Sequence, residues 1–110
     1  MEVSINSDKI VVVKRGQVVF IPLEDIYYIE RLNQCSFIKS KGNKVPVRVP
    51  LKKLEELLPS NFVRSHRAFI INKSCLQELI KQDENNYEAT FFDTEKTAIV
   101  SKTYLNSLFS

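Results

Sequence analysis

The sequence predicts a mainly β domain with about ten short strands and one short helix. Runs of β-branched and aromatic residues recur along the chain, and residues that favour turns separate them. Leucines at helical spacing occur in one segment, residues 50–58. At 110 residues the chain can enclose one hydrophobic core but not two, so we expect a single domain over residues 1–110.

The predicted strands follow one another at short intervals. Residues 26–29 read Ile-Tyr-Tyr-Ile, a run so apolar that it predicts a central strand covered on both faces. Pro46 has no N–H to donate to a neighbouring strand, which places its own strand at a sheet edge. The strands are expected over residues 3–5, 10–13, 17–21, 26–30, 37–41, 44–49, 62–64, 68–71, 76–81, 87–92 and 97–100.

The predicted helix covers residues 50–58. Pro50 suits its start because the first helical position needs no N–H. The leucines lie on one stripe that we expect to pack on the core, and the lysines and glutamates face water. Residues 31–36 are expected to form a polar connection, and residues 101–109 could form one or two helical turns.

Positive charge is concentrated in the middle of the chain. Residues 31–73 carry ten lysines or arginines against two glutamates, whereas both flanking regions are net negative. The whole-chain charge of +3 hides this separation. A polyanionic partner, if the protein has one, is therefore expected to meet the middle region.

Residue usage favours a cytoplasmic protein without membrane contact. Cys35 and Cys75 lie far apart and form no local pair, so we expect both to remain free thiols. Charged Glu2, Asp8 and Lys9 interrupt the first apolar residues, which argues against a signal peptide. No apolar run is long enough to cross a bilayer.

The sequence gives little support for catalysis or for a bound cofactor. His66 is the single histidine, and no nucleophile motif accompanies it. The chain has two glycines, too few for a glycine-rich phosphate loop. Cys35, Cys75 and His66 lack the local spacing of metal ligands. We expect a protein that is not an enzyme and that needs no metal and no cofactor.

The most informative stretch is residues 62–73, F-V-R-S-H-R-A-F-I-I-N-K. Arg64, His66 and Arg67 lie between apolar segments on both sides. An arginine at the end of a strand is a planar, charged donor that fits phosphate oxygens or the acceptor edge of guanine. The same residues could equally form an ordinary solvated strand end, so this stretch alone leaves both interpretations open.

The run R-S-H-R-A-F-I-I-N-K, residues 64–73, resembles the signature of LytTR-type DNA-binding domains. Three other segments resemble further parts of that family in the same order: the apolar run 26–30 ending in Glu, the leucine helix 51–59 and the Ser-Lys pair 101–102. The resemblance implies an elongated all-β fold of stacked small sheets. It also implies a bacterial transcription regulator that binds double-stranded DNA.

The resemblance implies that such a domain is usually the output half of a two-component response regulator. The receiver domain is absent from this chain, so the sequence leaves open an excised output domain or a free-standing regulator. The resemblance further implies loops that enter successive major grooves of direct-repeat promoter sites. The sequence shows no second apolar stripe beyond the leucine helix, so we expect the isolated domain to be monomeric. Two copies would then lie side by side on DNA.

The resemblance also implies which residues contact the bases. Ser36 in the first loop, Arg67 in the signature and Lys102 after the last strand match base-reading positions. The loop departs from the family pattern, so Asn33 and Gln34 are alternatives to Ser36.

Phosphate contacts are implied in the same way. Arg64 matches a phosphate-contacting position, and Thr103 and Ser101 are further candidates. For His66 the sequence leaves two roles open, a phosphate contact or a hydrogen-bonded part of the scaffold.

Two other functions remain open from the sequence. A small β-rich protein-interaction module could present the basic face to an acidic partner. A single-strand or RNA binder would need exposed aromatic side chains among the basic residues. Phe37, Phe62 and Phe69 are adjacent to basic positions, but their alternation places them inward.

Overall fold

The first sheet is formed by the amino-terminal strands. In the computed structural model, which describes residues 1–109, β1 (Glu2–Asn6), β2 (Lys9–Lys14) and β3 (Gln17–Pro22) pair in that order, all antiparallel. Alternation of apolar and polar residues sends Ile10 and Val12 into the core. Gly16 supplies the positive φ, +73°, that the tight turn between β2 and β3 requires.

The central sheet has five strands. Its members are β4 (Ile26–Leu32), β5 (Cys35–Ser40), β6 (Asn43–Val47), β7 (Phe62–His66) and β8 (Phe69–Asn72). The order across the sheet is β6-β5-β4-β8-β7, and every pair is antiparallel. The apolar run 26–29 is thus the middle strand, as predicted, and β6 with its proline lies at an edge, as predicted.

The third sheet closes the domain. It contains β9 (Leu76–Lys81), β10 (Asn86–Phe91) and β11 (Thr97–Ser101) in the order β11-β10-β9, and a 3-10 helix, Lys102–Phe109, follows. The eleven strands among the described residues agree with the predicted mainly β fold. The overall dimensions of 45 × 27 × 24 Å confirm that the domain is elongated.

The central sheet is covered on both faces, so it separates two hydrophobic clusters. Ile26 and Ile29 of β4 pack in the first cluster with the first sheet and the helix. Tyr27 and Tyr28 pack in the second cluster with the third sheet. A β-bulge between Ile26 and Tyr28 explains how two adjacent tyrosines reach the same cluster. The two covered faces make the central sheet a rigid support.

The helix α1 (Leu51–Leu57) connects β6 to β7. It is shorter than the predicted 50–58, because Pro50 has an extended backbone and precedes the first helical residue, and because Leu58 is extended as well. Leu51 and Leu54 are buried in the first cluster, which confirms the core-packing role of the leucine stripe. Among residues 1–109, no helix combines the length and the apolar character needed to cross a membrane.

The predicted length of the first loop was wrong. The polar connection expected over residues 31–36 is only a two-residue turn, because β4 continues to Leu32 and β5 begins at Cys35. Asn33 allows so tight a turn by adopting a positive φ of 59°, which asparagine tolerates better than most residues. Residues 101–109, whose state the sequence left open, contain the 3-10 helix Lys102–Phe109.

The outer face of the first sheet carries an exposed apolar patch. Val13, Val18 and Phe20 are 38%, 50% and 59% exposed, and Val11 pairs with Phe20 across the strands. The expectation of a monomer assumed that no such patch existed, so that premise is corrected. A stable interface buries about 800 Å² on each partner. Four side chains cover less than this, and the monomer remains our prediction.

Candidate nucleic-acid interface

Two hairpin turns and the end of a third strand segment meet at one end of the central sheet, where its strands turn. The β4–β5 turn at Asn33 and Gln34 lies beside the β7–β8 turn at Arg67 and Ala68, since the backbone N–H of Arg31 donates to the carbonyl of Ala68 at 2.8 Å. On the other side of β5, Ser36 pairs with Val47, so the end of β6 places Arg48 next to the first turn. We call this region the basic edge: Arg31, Asn33, Gln34, Arg48 and Arg67.

Most of the basic edge is open to solvent. Asn33, Gln34, Arg48 and Arg67 are exposed, and Arg31 is half-buried. The Arg67 guanidinium makes no hydrogen bond or ion pair with any other residue in the described part of the chain, and the same holds for that of Arg48. These two guanidiniums, one on a short turn and one at the end of β6, are available to an incoming anion.

The turn that carries Arg67 is braced by Arg64. The Arg64 Nε donates to the carbonyl oxygen of His66 at 2.9 Å, and its Nη2 donates to the carbonyl oxygen of Arg67 at 2.6 Å. Its Nη1 forms a salt bridge with the carboxylate of Glu55 on α1. The sequence implied a phosphate contact for Arg64, but the structure gives its guanidinium three partners within the domain.

His66 also supports this turn. Its Nδ1 accepts a hydrogen bond from the backbone N–H of Ala68 at 3.0 Å, and its ring meets the edge of Phe69 with centroids 5.7 Å apart. Burial lowers the pKa of His66 below its ordinary value, and the charges of Arg67 and Arg64 lower it further. Nδ1 therefore acts as an acceptor on a neutral ring. Of the two roles left open by the sequence, this geometry fits the scaffold role.

A β-bulge locks the same strand to the third sheet. Arg64 pairs with Ile70 and His66 pairs with Phe69, so Ser65 is the extra residue in β7. Ser65 is fully buried, and its hydroxyl donates to the carbonyl of Ile99 in β11 at 2.9 Å. The bulge thus fixes β7 where it enters the turn.

The expectation that Ser36 reads a base stays a prediction, and the burial of Ser36 in the free domain argues against it. Ser36 is 0% exposed, and its hydroxyl donates to the carbonyl of Val49 at 2.6 Å. It also accepts from Arg31 Nη1 at 3.0 Å, and Arg31 bonds the same carbonyl at 3.2 Å. A buried hydroxyl with two partners holds the β6 end against the β4–β5 hairpin. Of the three loop candidates, Asn33 and Gln34 are exposed.

The remaining candidates lie on a different sheet. Lys102 and Thr103 are exposed at the start of the 3-10 helix, and Ser101 is half-buried at the end of β11. The backbone N–H of Lys102 donates to the carbonyl of Asn85 at 2.8 Å, which anchors this end of the strand. The structure brings Asn33, Gln34 and Arg67 together but places Ser101, Lys102 and Thr103 on the third sheet.

Sequence reasoning did not select Arg48 and Arg31. Arg48 is the last basic residue on the polar face of the predicted strand 44–49. Its position next to the β4–β5 turn, however, depends on strand pairing. Arg31 was assigned to a loop, whereas it is a paired strand residue whose side chain reaches Val49. The pairing of β5 with β6 is the information that the sequence lacked.

The described residues contain little that would favour a metal site or a disulfide bond. No group of three or more histidine, cysteine or acidic side chains among residues 1–109 could hold a metal ion. Cys35 and Cys75 are both free. Burial raises the pKa of the Cys75 thiol above its ordinary value, so this thiol is poorly suited to reaction.

Known proteins resemble this chain in sequence and in fold. The family model described as "LytTr DNA-binding domain" matches residues 16–110. The transcriptional regulatory protein NatR of Bacillus subtilis is 26% identical over 106 residues, which cover 96% of this chain and 45% of NatR. The transcriptional regulatory protein YpdB of Escherichia coli K12 is 26% identical over 98 residues, covering 88% and 40% of the two chains. The chain therefore spans less than half the length of these curated relatives.

A solved structure agrees with the family match. The LytTr DNA-binding domain of a Bacillus cereus protein superposes with a TM-score of 0.80. The match covers 96% of this chain and 99% of that one at 17% identity, so it supports the fold alone. The family model spans most of the chain and includes the basic edge and the third sheet. The chain belongs to the LytTR family of DNA-binding domains, found in transcriptional regulators.

Proposed function

We propose that this domain binds specific sequences of double-stranded DNA through the basic edge. The observation that carries the proposal is the convergence of two hairpin turns and the end of β6, which present Arg67 and Arg48 without internal partners. Each hairpin is a two-stranded ribbon, a shape that the major groove of B-DNA admits. The covered sheet beneath them keeps the ribbons in a fixed orientation.

Dimensions support a major-groove contact. Neighbouring strands lie about 4.8 Å apart, and the β5–β4 and β8–β7 hairpins are adjacent, so their centres are separated by about 10 Å. The major groove is about 12 Å wide, so it admits one of these hairpins but not the full width of both. Lys102 begins the 3-10 helix that follows the third sheet, so a contact by Lys102 would form a second region besides the two hairpins.

The residues take different roles in this proposal. Arg67 reads a base, since its free guanidinium can form a bidentate contact with guanine. Asn33 and Gln34 are amide side chains of the kind that read adenine. Phosphate contacts are assigned to Arg48, Thr103 and Ser101. Lys102 binds either a phosphate or a base.

The similarity to transcriptional regulators supports a proposal about the full-length protein. We propose that the domain is the output part of a longer regulator that also contains a receiver domain, and that two copies bind side by side on a direct-repeat promoter site. The curated relatives are more than twice as long as the matched region, which leaves room for such a domain in them.

Single-strand or RNA binding is less well supported. Phe62 and Phe69 are each 6% exposed, and Phe37 is half-buried beneath the Lys44 ammonium, which lies 5.4 Å from the ring centroid. These rings offer no stacking platform beside the basic edge.

The test begins with selection of bound sequences from a random duplex library. Fluorescence anisotropy then compares the selected duplex, a random duplex, single-stranded DNA and RNA at several salt concentrations. We expect preference for the selected duplex. If about five phosphates are neutralised, log K should fall with log salt at a slope of roughly −4 to −5.

Arg48 provides a charge control within the same experiment. Arg48→Ala should weaken both duplexes to a similar extent and reduce the salt slope by about one, as expected for a phosphate contact. A slope near zero for the wild-type domain would contradict the proposal and favour a protein-interaction module.

A further inference from the structure

Arg64 and Glu55 connect the helix α1 to the turn that carries Arg67. Glu55 lies on α1, whose Leu51 and Leu54 are buried in the core, so its backbone has a fixed position. Its carboxylate binds Arg64 Nη1. The same guanidinium donates to the backbone carbonyls of both His66 and Arg67.

We propose that Glu55 and Arg64 are positioning residues for sequence recognition, and that they act without touching DNA. This inference rests on the proposed duplex binding by Arg67. Arg64 holds two successive carbonyls of the turn in one orientation, and Glu55 holds Arg64. The backbone of Arg67 is thereby fixed before DNA arrives, which spares the cost of ordering the turn on binding.

Burial and charge distinguish this role from a phosphate contact. The side chain of Arg64 is 22% exposed, and the carboxylate of Glu55 already compensates its charge. A phosphate approaching Arg64 would be repelled by the Glu55 carboxylate unless it displaced that carboxylate from Arg64. By contrast, the neighbouring guanidinium of Arg67 has no such partner among the residues that the structure describes.

The chain offers a matched control on the same helix. Glu56 follows Glu55 directly and is exposed, and it forms no salt bridge within the described residues. Glu55→Gln and Glu56→Gln therefore remove the same charge from adjacent positions. General electrostatics predicts slightly tighter DNA binding for both variants, because each removes an acid near a polyanion.

The first measurement is the ratio of affinities for the selected and the random duplex. Glu55→Gln should lower this ratio about threefold to tenfold, as expected if about one more side chain must order on binding. Glu56→Gln should leave the ratio unchanged. Arg64→Lys should lower the ratio as well, with an unchanged salt slope, because a lysine keeps the charge but loses the planar fork. Equal behaviour of Glu55→Gln and Glu56→Gln would overturn the inference.

The second measurement needs no DNA. The N–H of Ala68, which donates to His66 Nδ1, reports on the order of the turn through its hydrogen-exchange rate in the free domain. Glu55→Gln should speed exchange at Ala68 severalfold, whereas Glu56→Gln should not. If the wild-type domain shows no duplex preference, the proposed function fails, and this exchange rate still decides whether Glu55 and Arg64 order the turn. Unchanged exchange at Ala68 in Glu55→Gln would refute it.

Discussion

Asn72 provides the clearest prediction about what holds the domain together. It ends β8 and is 1% exposed. Its Nδ2 donates to the carbonyl of Ile26 at 2.9 Å. Its Oδ1 accepts from Asn61 Nδ2 at 2.8 Å and from the backbone N–H of Ser74 at 2.9 Å. One side chain thus joins the central strand, the loop after α1 and the turn before β9.

The cost of Asn72→Ala follows from these three bonds. Each lost hydrogen bond costs about 1 kcal/mol, and a buried group left without its partner costs about 1–3 kcal/mol. Among side-chain donors, the carbonyl of Ile26 would keep the weak Sγ donor of Cys75, at 3.6 Å. We therefore expect a loss of about 3–4 kcal/mol in the free energy of unfolding. Domains of this size have about 5–15 kcal/mol in total.

Urea unfolding followed by circular dichroism measures this loss. The midpoint should fall with little change in the slope of free energy against urea concentration. Asn106→Ala is the matched control, because Asn106 is exposed, and it should change stability by less than about 0.5 kcal/mol. A loss below about 1 kcal/mol for Asn72→Ala would show that the hydrogen-bond network does not stabilise the fold as argued.

Three further predictions concern pH, the thiols and association. The folded-state pKa of His66 lies below the value of 6.5 for an unfolded chain, so the unfolded state binds the proton first. The contribution of His66 to the free energy of unfolding should fall as pH drops below about 6.5 and level off below the folded-state pKa. Urea unfolding at several pH values measures this dependence, which His66→Gln should abolish. Mass analysis should find Cys35 and Cys75 unlinked, and a chelator should leave the urea midpoint unchanged; a native disulfide or unfolding on chelation would contradict this. Light scattering should show a monomer without DNA, and a tight dimer that Phe20→Ser dissociates would contradict it.

Local sequence patterns predicted most of the fold because each strand carries its own signal. The apolar run 26–29 could be placed at the centre of a sheet, and Pro46 at an edge, from side-chain chemistry alone. The sequence also predicted the helix, although its ends shifted where Pro50 and Leu58 adopt extended backbones. The short β4–β5 turn was missed because the left-handed conformation of Asn33 is a property of one residue that the pattern does not reveal.

Candidate contacts were harder to predict because their roles depend on burial and pairing. Ser36 looked like a loop hydroxyl, but strand extension buries it against Val49. Arg64 and Arg67 look alike in sequence, yet one is bonded to two turn carbonyls and to Glu55, and the other is exposed. Such differences arise from tertiary contacts between residues distant along the chain.

The central claim is that the turn at Arg67 reads DNA sequence. The most direct measurement compares wild type and Arg67→Ala on the selected duplex and on a random duplex under identical salt. Loss of a bidentate base contact should cost roughly 1–3 kcal/mol on the selected duplex and much less on the random one. Arg67→Lys should not restore the preference, because a point ammonium cannot reproduce the planar fork. If Arg67→Ala weakens both duplexes equally, Arg67 is a phosphate contact and the proposed recognition by this turn is wrong.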